Sequence, residues 1–124
     1  MRILTTTLAA LALLSASLET GAVAAENSGK LSGPQIREKF AGMQLTDEVH
    51  WCVVYDRDGT LRRYILGTKT TGRWVIEKDE LCLYFGDEDD GCYEVWLSGD
   101  RMEIKPVGLG LSIGGILQQP TDRD

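Results

Sequence analysis

Three groups of residues in this chain have types and spacing that chemistry could use. His50 and Cys52 stand two apart, which on a strand places both side chains on one face. A histidine beside a thiol can serve as base to nucleophile. Here, however, no third group is placed to orient the base, no nucleophile signature surrounds Cys52, and His50 is the only histidine. Neither a Cys–His dyad nor serine chemistry is expected. Residues 86–91, GDEDDG, crowd Asp87, Glu88, Asp89 and Asp90 between two glycines. Clustered oxygens suit a hard cation, but the calcium-loop spacing is missing both here and at Asp56-Arg57-Asp58-Gly59. The loop reads instead as an acidic hairpin tip, available for docking a basic partner. Residues 108–114, GLGLSIG, approach a dinucleotide fingerprint, yet the glycine spacing is off and no βαβ unit surrounds them. They read better as a strand that must pass close to its neighbours.

The cysteines and tryptophans complete the inventory. Cys82 and Cys92 fall on one face of two adjacent strands, which suits a disulfide. Further ligands at metal-site spacing are lacking, so no metal is expected. Cys52 is left over as a buried thiol. Trp74 reads as core. Trp96, on the cysteine face beside Tyr84, can pack on the bridge or face a ligand. No catalytic residue and no cofactor is expected.

The element that must position these groups is residues 72–97, GRWVIEKDELCLYFGDEDDGCYEVWL. With Lys78-Asp79 at a hairpin tip, Trp74 faces Leu83 and Ile76 faces Leu81. Period-two alternation then gathers Trp74, Ile76, Leu81, Leu83 and Phe85 on one side, joined by Tyr93, Val95 and Leu97. Val75, Cys82, Tyr84, Cys92, Glu94 and Trp96 take the other. A slip of one residue would scramble this division, so a sheet with one buried face is expected.

Around it, residues 31–43 form a helix capped by Ser32 or Gly33, with Pro34 in its first turn and Gly42 at its end. Ile36, Phe40 and Met43 make its apolar stripe, packed over an end of the sheet. Residues 49–55 and 61–66 flank an Asp-Gly turn and pair as a hairpin, though both their faces are mixed in polarity. GTKTTG, residues 67–72, reads as a turn. A strand over 101–105 ends at Pro106. Strands recurring about every ten residues predict an antiparallel meander, a small lipocalin-like barrel or sandwich with one N-terminal helix.

The first residues have another purpose. A positive start, an apolar run over 3–18 and Ala22-Val23-Ala24-Ala25 give the order of a secretory signal peptide cleaved after Ala25. The run is short for a stable membrane anchor. Residues 26–31 follow as a flexible linker, 32–118 as a single domain, and 119–124 as a tail. Export to the periplasm or beyond agrees with a disulfide-supported domain of modest core. The formal net charge is −6, and it is segregated. Residues 77–103 hold ten acidic side chains against Lys78 and Arg101, while Arg57, Arg62, Arg63, Lys69 and Arg73 cluster over 56–73. No continuous basic footprint for nucleic acid exists.

The run Gly72-x-Trp74, Leu81-Cys82 and Cys92-Tyr93-x-Val95, after Asp58-Gly59-Thr60 and a helix ending Phe40-Ala41-Gly42, resembles small exported proteins of unknown function from rhizobium-like alphaproteobacteria. The resemblance spans most of the chain beyond the leader. It implies a lipocalin-like or related β fold in the periplasm and brings no catalytic residues with it. Similar short sequences are sometimes labelled dihydrodipicolinate reductase, which this chain does not support for want of a nucleotide-binding unit. The expectation is a monomeric, non-enzymatic domain that binds a protein or a small ligand. The alternatives are an inhibitor of a basic enzyme, such as a lysozyme or protease, docking through the acidic loop, and a carrier of a small apolar ligand.

Overall fold

The structure, a computed structural model, describes residue 3 and residues 28–121. Apart from Ile3, the expected signal peptide lies outside the described residues, as do residues 122–124 of the expected tail. In chain order the elements are β1 (Ser28–Lys30), α1 (Gly33–Phe40), β2 (Met43–Thr46), β3 (Trp51–Tyr55), β4 (Thr60–Ile65), β5 (Thr68–Glu77), β6 (Glu80–Tyr84), β7 (Gly91–Ser98), β8 (Arg101–Pro106) and β9 (Ile113–Gln118). From β2 to β9 each strand pairs antiparallel with the next, and β9 returns to β2. The meander therefore closes as an eight-stranded barrel, with β1 laid beside the far part of β7.

The register follows the alternation of residues 72–97. Trp74 pairs with Leu83 and Ile76 with Leu81, while Leu81 pairs with Tyr93. Trp74, Leu81, Leu83, Tyr93, Val95 and Leu97 are buried in one core with Leu45, Tyr55, Leu61, Met102 and Ile104. Closure removes the exposed edges that an open sheet of this length would leave.

Four stretches differ from expectation, the first being residues 108–112, which are expected as strand and form a loop, β9 beginning only at Ile113. The helix is shorter, Gly33–Phe40, and Met43, expected on its apolar stripe, instead begins β2. Four residues are too few to display an alternation, and the outward Gln44 and Thr46 are buried too, at 1% and 4% exposure. GTKTTG is mostly strand. Only Leu66 and Gly67 turn, both at positive φ, and β5 continues through Gly72. There a Cβ would lie 2.5 Å from the Tyr84 carbonyl oxygen, so the glycine permits a close strand crossing rather than a turn. Residues 28–30, expected as linker, form β1. They are tied down by Leu31, which is buried and donates its amide to the Val95 carbonyl at 2.8 Å.

The barrel ends are unlike. At one, α1 lies across the opening. Ser32 and Gln35 form a capping box that starts it, and Gly33 donates its amide to Asp79 on the β5–β6 turn at 2.7 Å. Ile36 and Phe40 are fully buried beneath it. Phe40 meets Tyr55 edge-on at 4.9 Å between centroids, and Tyr55 meets Trp74 at 5.7 Å, so this half of the interior is solid. The other end carries the loops 47–50, 66–67, 85–90 and 107–112, and no helix covers it.

Candidate functional site

At the uncovered end a cavity of about 200 Å³ opens between the loops. Its floor is apolar: Leu45, Val53, Tyr55, Leu83 and Ile104, inward positions of four strands. Trp51, Ile65, Phe85, Tyr93 and Ile113 form its mouth, with Arg63 and Asp89 as its charged members.

Arg63 explains how the mouth is held. It shares the inward side of β4 with the buried Leu61 and with Ile65, so its side chain is only 11% exposed. Its guanidinium lies 4.0 Å from the Phe85 ring centroid and reaches the β6–β7 loop. Nη2 donates to Asp87 at 2.6 Å and Nη1 to Asp89 at 3.0 Å, while Nε is buried without a hydrogen-bond partner. The Arg63 hydrogen bond holds the Asp87 carboxyl below its ordinary range. Burial, then the charges of Asp89, Asp87 and Asp90, push the Tyr93 hydroxyl up; that hydroxyl donates to the Asp89 carbonyl.

The acidic loop is thus an internal latch as well as a surface. Asp87 and Asp89 face Arg63, and Asp90 accepts the amides of Phe85 and Gly86. All four acids are exposed, and the Glu88 side chain alone among them has no partner among the described residues. Trp96 and Tyr84 do not line the cavity. They sit on the outer wall, Tyr84 43% exposed and Trp96 4.7 Å from Lys105 Nζ. The aromatics that do face the cavity come from β3, β7 and the start of the acidic loop. Alternation within 51–55 shows Trp51, Val53 and Tyr55 sharing a side. Arg63 on the matching side of β4 obscured that this side was inward. The surplus of basic residues over 56–73 was the signal for its partner, the acidic loop.

Cys82 and Cys92 are bridged and are direct cross-strand neighbours. Together with Glu77 they are the sulfur–carboxylate cluster of the described residues, but each sulfur is committed to the other. Cys52 is buried outside the barrel wall against Val54 and Tyr64. His50, with its side chain 67% exposed, bonds Asp47 through Nδ1 at 2.9 Å. Lost hydration pushes the Asp47 carboxyl up, but the amides of Trp51, His50 and Val49 outweigh it and hold the group well below its usual range. Asp47 therefore organises the loop 47–50. Among the described residues no helix is long and apolar enough to cross a membrane.

No protein-family model, curated protein or solved structure matches the chain.

Proposed function

We propose that the protein binds a small uncharged apolar molecule, or the end of an apolar chain, in the cavity at the uncovered end of its barrel. The observation that supports this reading best is the cavity itself: about 200 Å³, floored by aliphatic and aromatic side chains, inside a barrel whose opposite half is filled. That volume is below the usual range for drug-sized ligands, which favours a small molecule or one chain terminus. Charge favours a neutral ligand. The single cation, Arg63, already faces two carboxylates, so a buried anion would find no uncommitted partner.

The role is non-catalytic binding outside the cytoplasm. The Cys82–Cys92 bridge supports an oxidising compartment, and the signal-peptide pattern supports the periplasm or secretion. Inhibition of a basic enzyme through the acidic loop has less support, because Asp87, Asp89 and Asp90 are engaged within the protein.

Titration with N-phenyl-1-naphthylamine, a neutral fluorescent apolar probe, tests the reading. Saturable fluorescence enhancement is expected, accompanied by quenching of Trp51. Val53→Phe and Ile104→Phe, which fill the floor, should each abolish it while the barrel still melts cooperatively. Absence of saturable binding, or binding indifferent to both floor variants, would overturn the reading.

A further inference from the structure

The large apolar side chains that this barrel leaves in water are gathered at one end. Val49 is 77% exposed on the loop 47–50, and Leu66 is 78% exposed on the loop 66–67. Leu109 and Leu111, on the loop 107–112, are 105% and 90% exposed. Val107 follows at 57%. Among the described residues of the barrel, no large exposed apolar side chain lies at the helix-covered end. Apolar exposure concentrated at one end in this way marks a contact surface. Leu66 adds a second oddity, since it adopts a left-handed backbone at φ 47°, where glycine or asparagine is the usual occupant.

We propose that this rim is a docking surface for a neutral, zwitterionic lipid bilayer, with the three apolar loops inserted into its interfacial region and the cavity facing the lipid. The side chains favour lipid over a protein partner. The outermost tips are entirely aliphatic, whereas protein interfaces are anchored by aromatic and arginine side chains packed in complementary pockets. They also stand on separate loops around an open hole. A fluid hydrocarbon phase fills the gaps between such projections, and a rigid partner would leave them as voids. Continuity with the cavity points the same way, because Ile65 and Ile113 belong both to the cavity mouth and to the rim.

Charge selects the kind of lipid. The acidic loop borders the 107–112 loop, and Glu80, Glu88, Asp89 and Asp90 share a recess with Leu109 and Leu111. Asp47 and Glu48 directly precede Val49 on the neighbouring loop. Against them stand His50, which is tied to Asp47, Arg63, which is tied to Asp87 and Asp89, Lys69 beside Tyr64, and Lys105 over the Trp96 ring on the outer wall. Anionic headgroups would be repelled by this end, so a zwitterionic surface fits it.

The docking goes beyond the ligand reading, and flotation of the purified protein with vesicles separates the two. Co-flotation with phosphatidylcholine vesicles is expected, and it should weaken when phosphatidylglycerol is mixed in at low salt. The triple variant Leu66→Asp/Leu109→Asp/Leu111→Asp, whose positions do not line the cavity, should lose at least about tenfold in partitioning. It should keep binding N-phenyl-1-naphthylamine and keep its cooperative melt. Single Leu109→Asp gives a milder version if the triple variant folds poorly. Failure of the wild type to float, equal flotation of the rim variants, or preference for phosphatidylglycerol would each overturn the proposal. A lipid-independent dimer dissolved by the rim substitutions, with no flotation, would overturn it in favour of a second copy as occupant. Loss of probe binding in the wild type with flotation intact would overturn the cavity reading alone.

Discussion

Replacing Arg63 tests whether its pairing with the acidic loop is a latch or a source of stability. Arg63→Met removes two charge-assisted bonds to carboxylates that are 36% and 51% exposed. Pairs to such exposed partners contribute about 0.2–1 kcal/mol each, and the contact with Phe85 adds about 0.5–1 kcal/mol. Against that loss, the substitution removes a buried guanidinium whose Nε lacks a partner, an arrangement costing about 1–3 kcal/mol. The expected net change is within about 1 kcal/mol of zero. The converse variant, Asp87→Ala/Asp89→Ala, leaves the guanidinium buried and unpaired. Breaking a buried pair from one side costs about 3–5 kcal/mol; with the mouth near enough for partial rehydration, about 2–3 kcal/mol is expected. For a domain of this size that is a fall in Tm of about 8–24 °C, against less than about 8 °C for Arg63→Met. Thermal melts followed by circular dichroism measure both. If Arg63→Met is the more damaging of the two, the reasoning is refuted. The pH arm has a definite sign. The Asp87 carboxyl is depressed in the folded state by its Arg63 bond, so its contribution is fully present above the unfolded carboxylate pKa of about 3.9 and is lost as pH falls through the lower folded value. Melts between pH 7 and pH 2 should show less acid sensitivity in Arg63→Met than in the wild type.

Other outcomes follow from the same packing. Thiol titration of the unfolded protein should give one thiol per chain before reduction and three after it, and a first value of three would remove the bridge from the argument. Cys82→Ser/Cys92→Ser should cost roughly 2–3 kcal/mol in denaturant melts, given the short loop the bridge closes. Phe40→Ala should cost about 3–5 kcal/mol, because Phe40 is fully buried against Tyr55 under the helix; a loss under about 1 kcal/mol would mean the helix does not close that end. Gly115→Ala would set a Cβ 2.8 Å from the Thr46 carbonyl oxygen, and about 1–3 kcal/mol is expected as β9 is forced off β2; an unchanged melt would contradict that close approach.

The sequence made the barrel's inner face from residue 72 onward legible because strict alternation there coincides with burial. Trp74, Leu81, Leu83, Tyr93 and Val95 need no tertiary knowledge to be sorted. The 51–65 hairpin resisted the same reading for a physical reason. Its outer face is partly buried too, with Cys52, Val54 and Tyr64 packed together, and its inner face carries Arg63. Two-sided burial and an inward charge erase the polarity contrast on which alternation depends. The candidate site was obscured by the same exception. An arginine among inward positions looks like an outward strand until its long-range partner is known, and Asp87 is 24 residues away. Trp96 and Tyr84 drew attention through their proximity to the cysteines, whereas the aromatics at the cavity needed barrel closure to meet.

An uncovered barrel end cannot be fixed by burial, so another restraint must set the positions of its loops. Two ties serve the 85–90 loop. The Cys82–Cys92 bridge clamps the strands that enter and leave it, and Arg63 holds its carboxylates from β4 across the mouth. Each tie presents the loop to the other: without the bridge, β6 and β7 can splay and carry Asp87 and Asp89 off Arg63. The two should therefore be energetically coupled, although Arg63 belongs to neither bridged strand. A double-mutant cycle on Asp87→Ala/Asp89→Ala and Cys82→Ser/Cys92→Ser measures this. Removing the latch should cost less in the bridge-free protein than in the bridged one, with a coupling above about 0.5 kcal/mol. Independent ties would give additive losses, and the mouth would then have to be positioned by its apolar contacts, chiefly Phe85 and Tyr93, instead of by its polar and covalent ones.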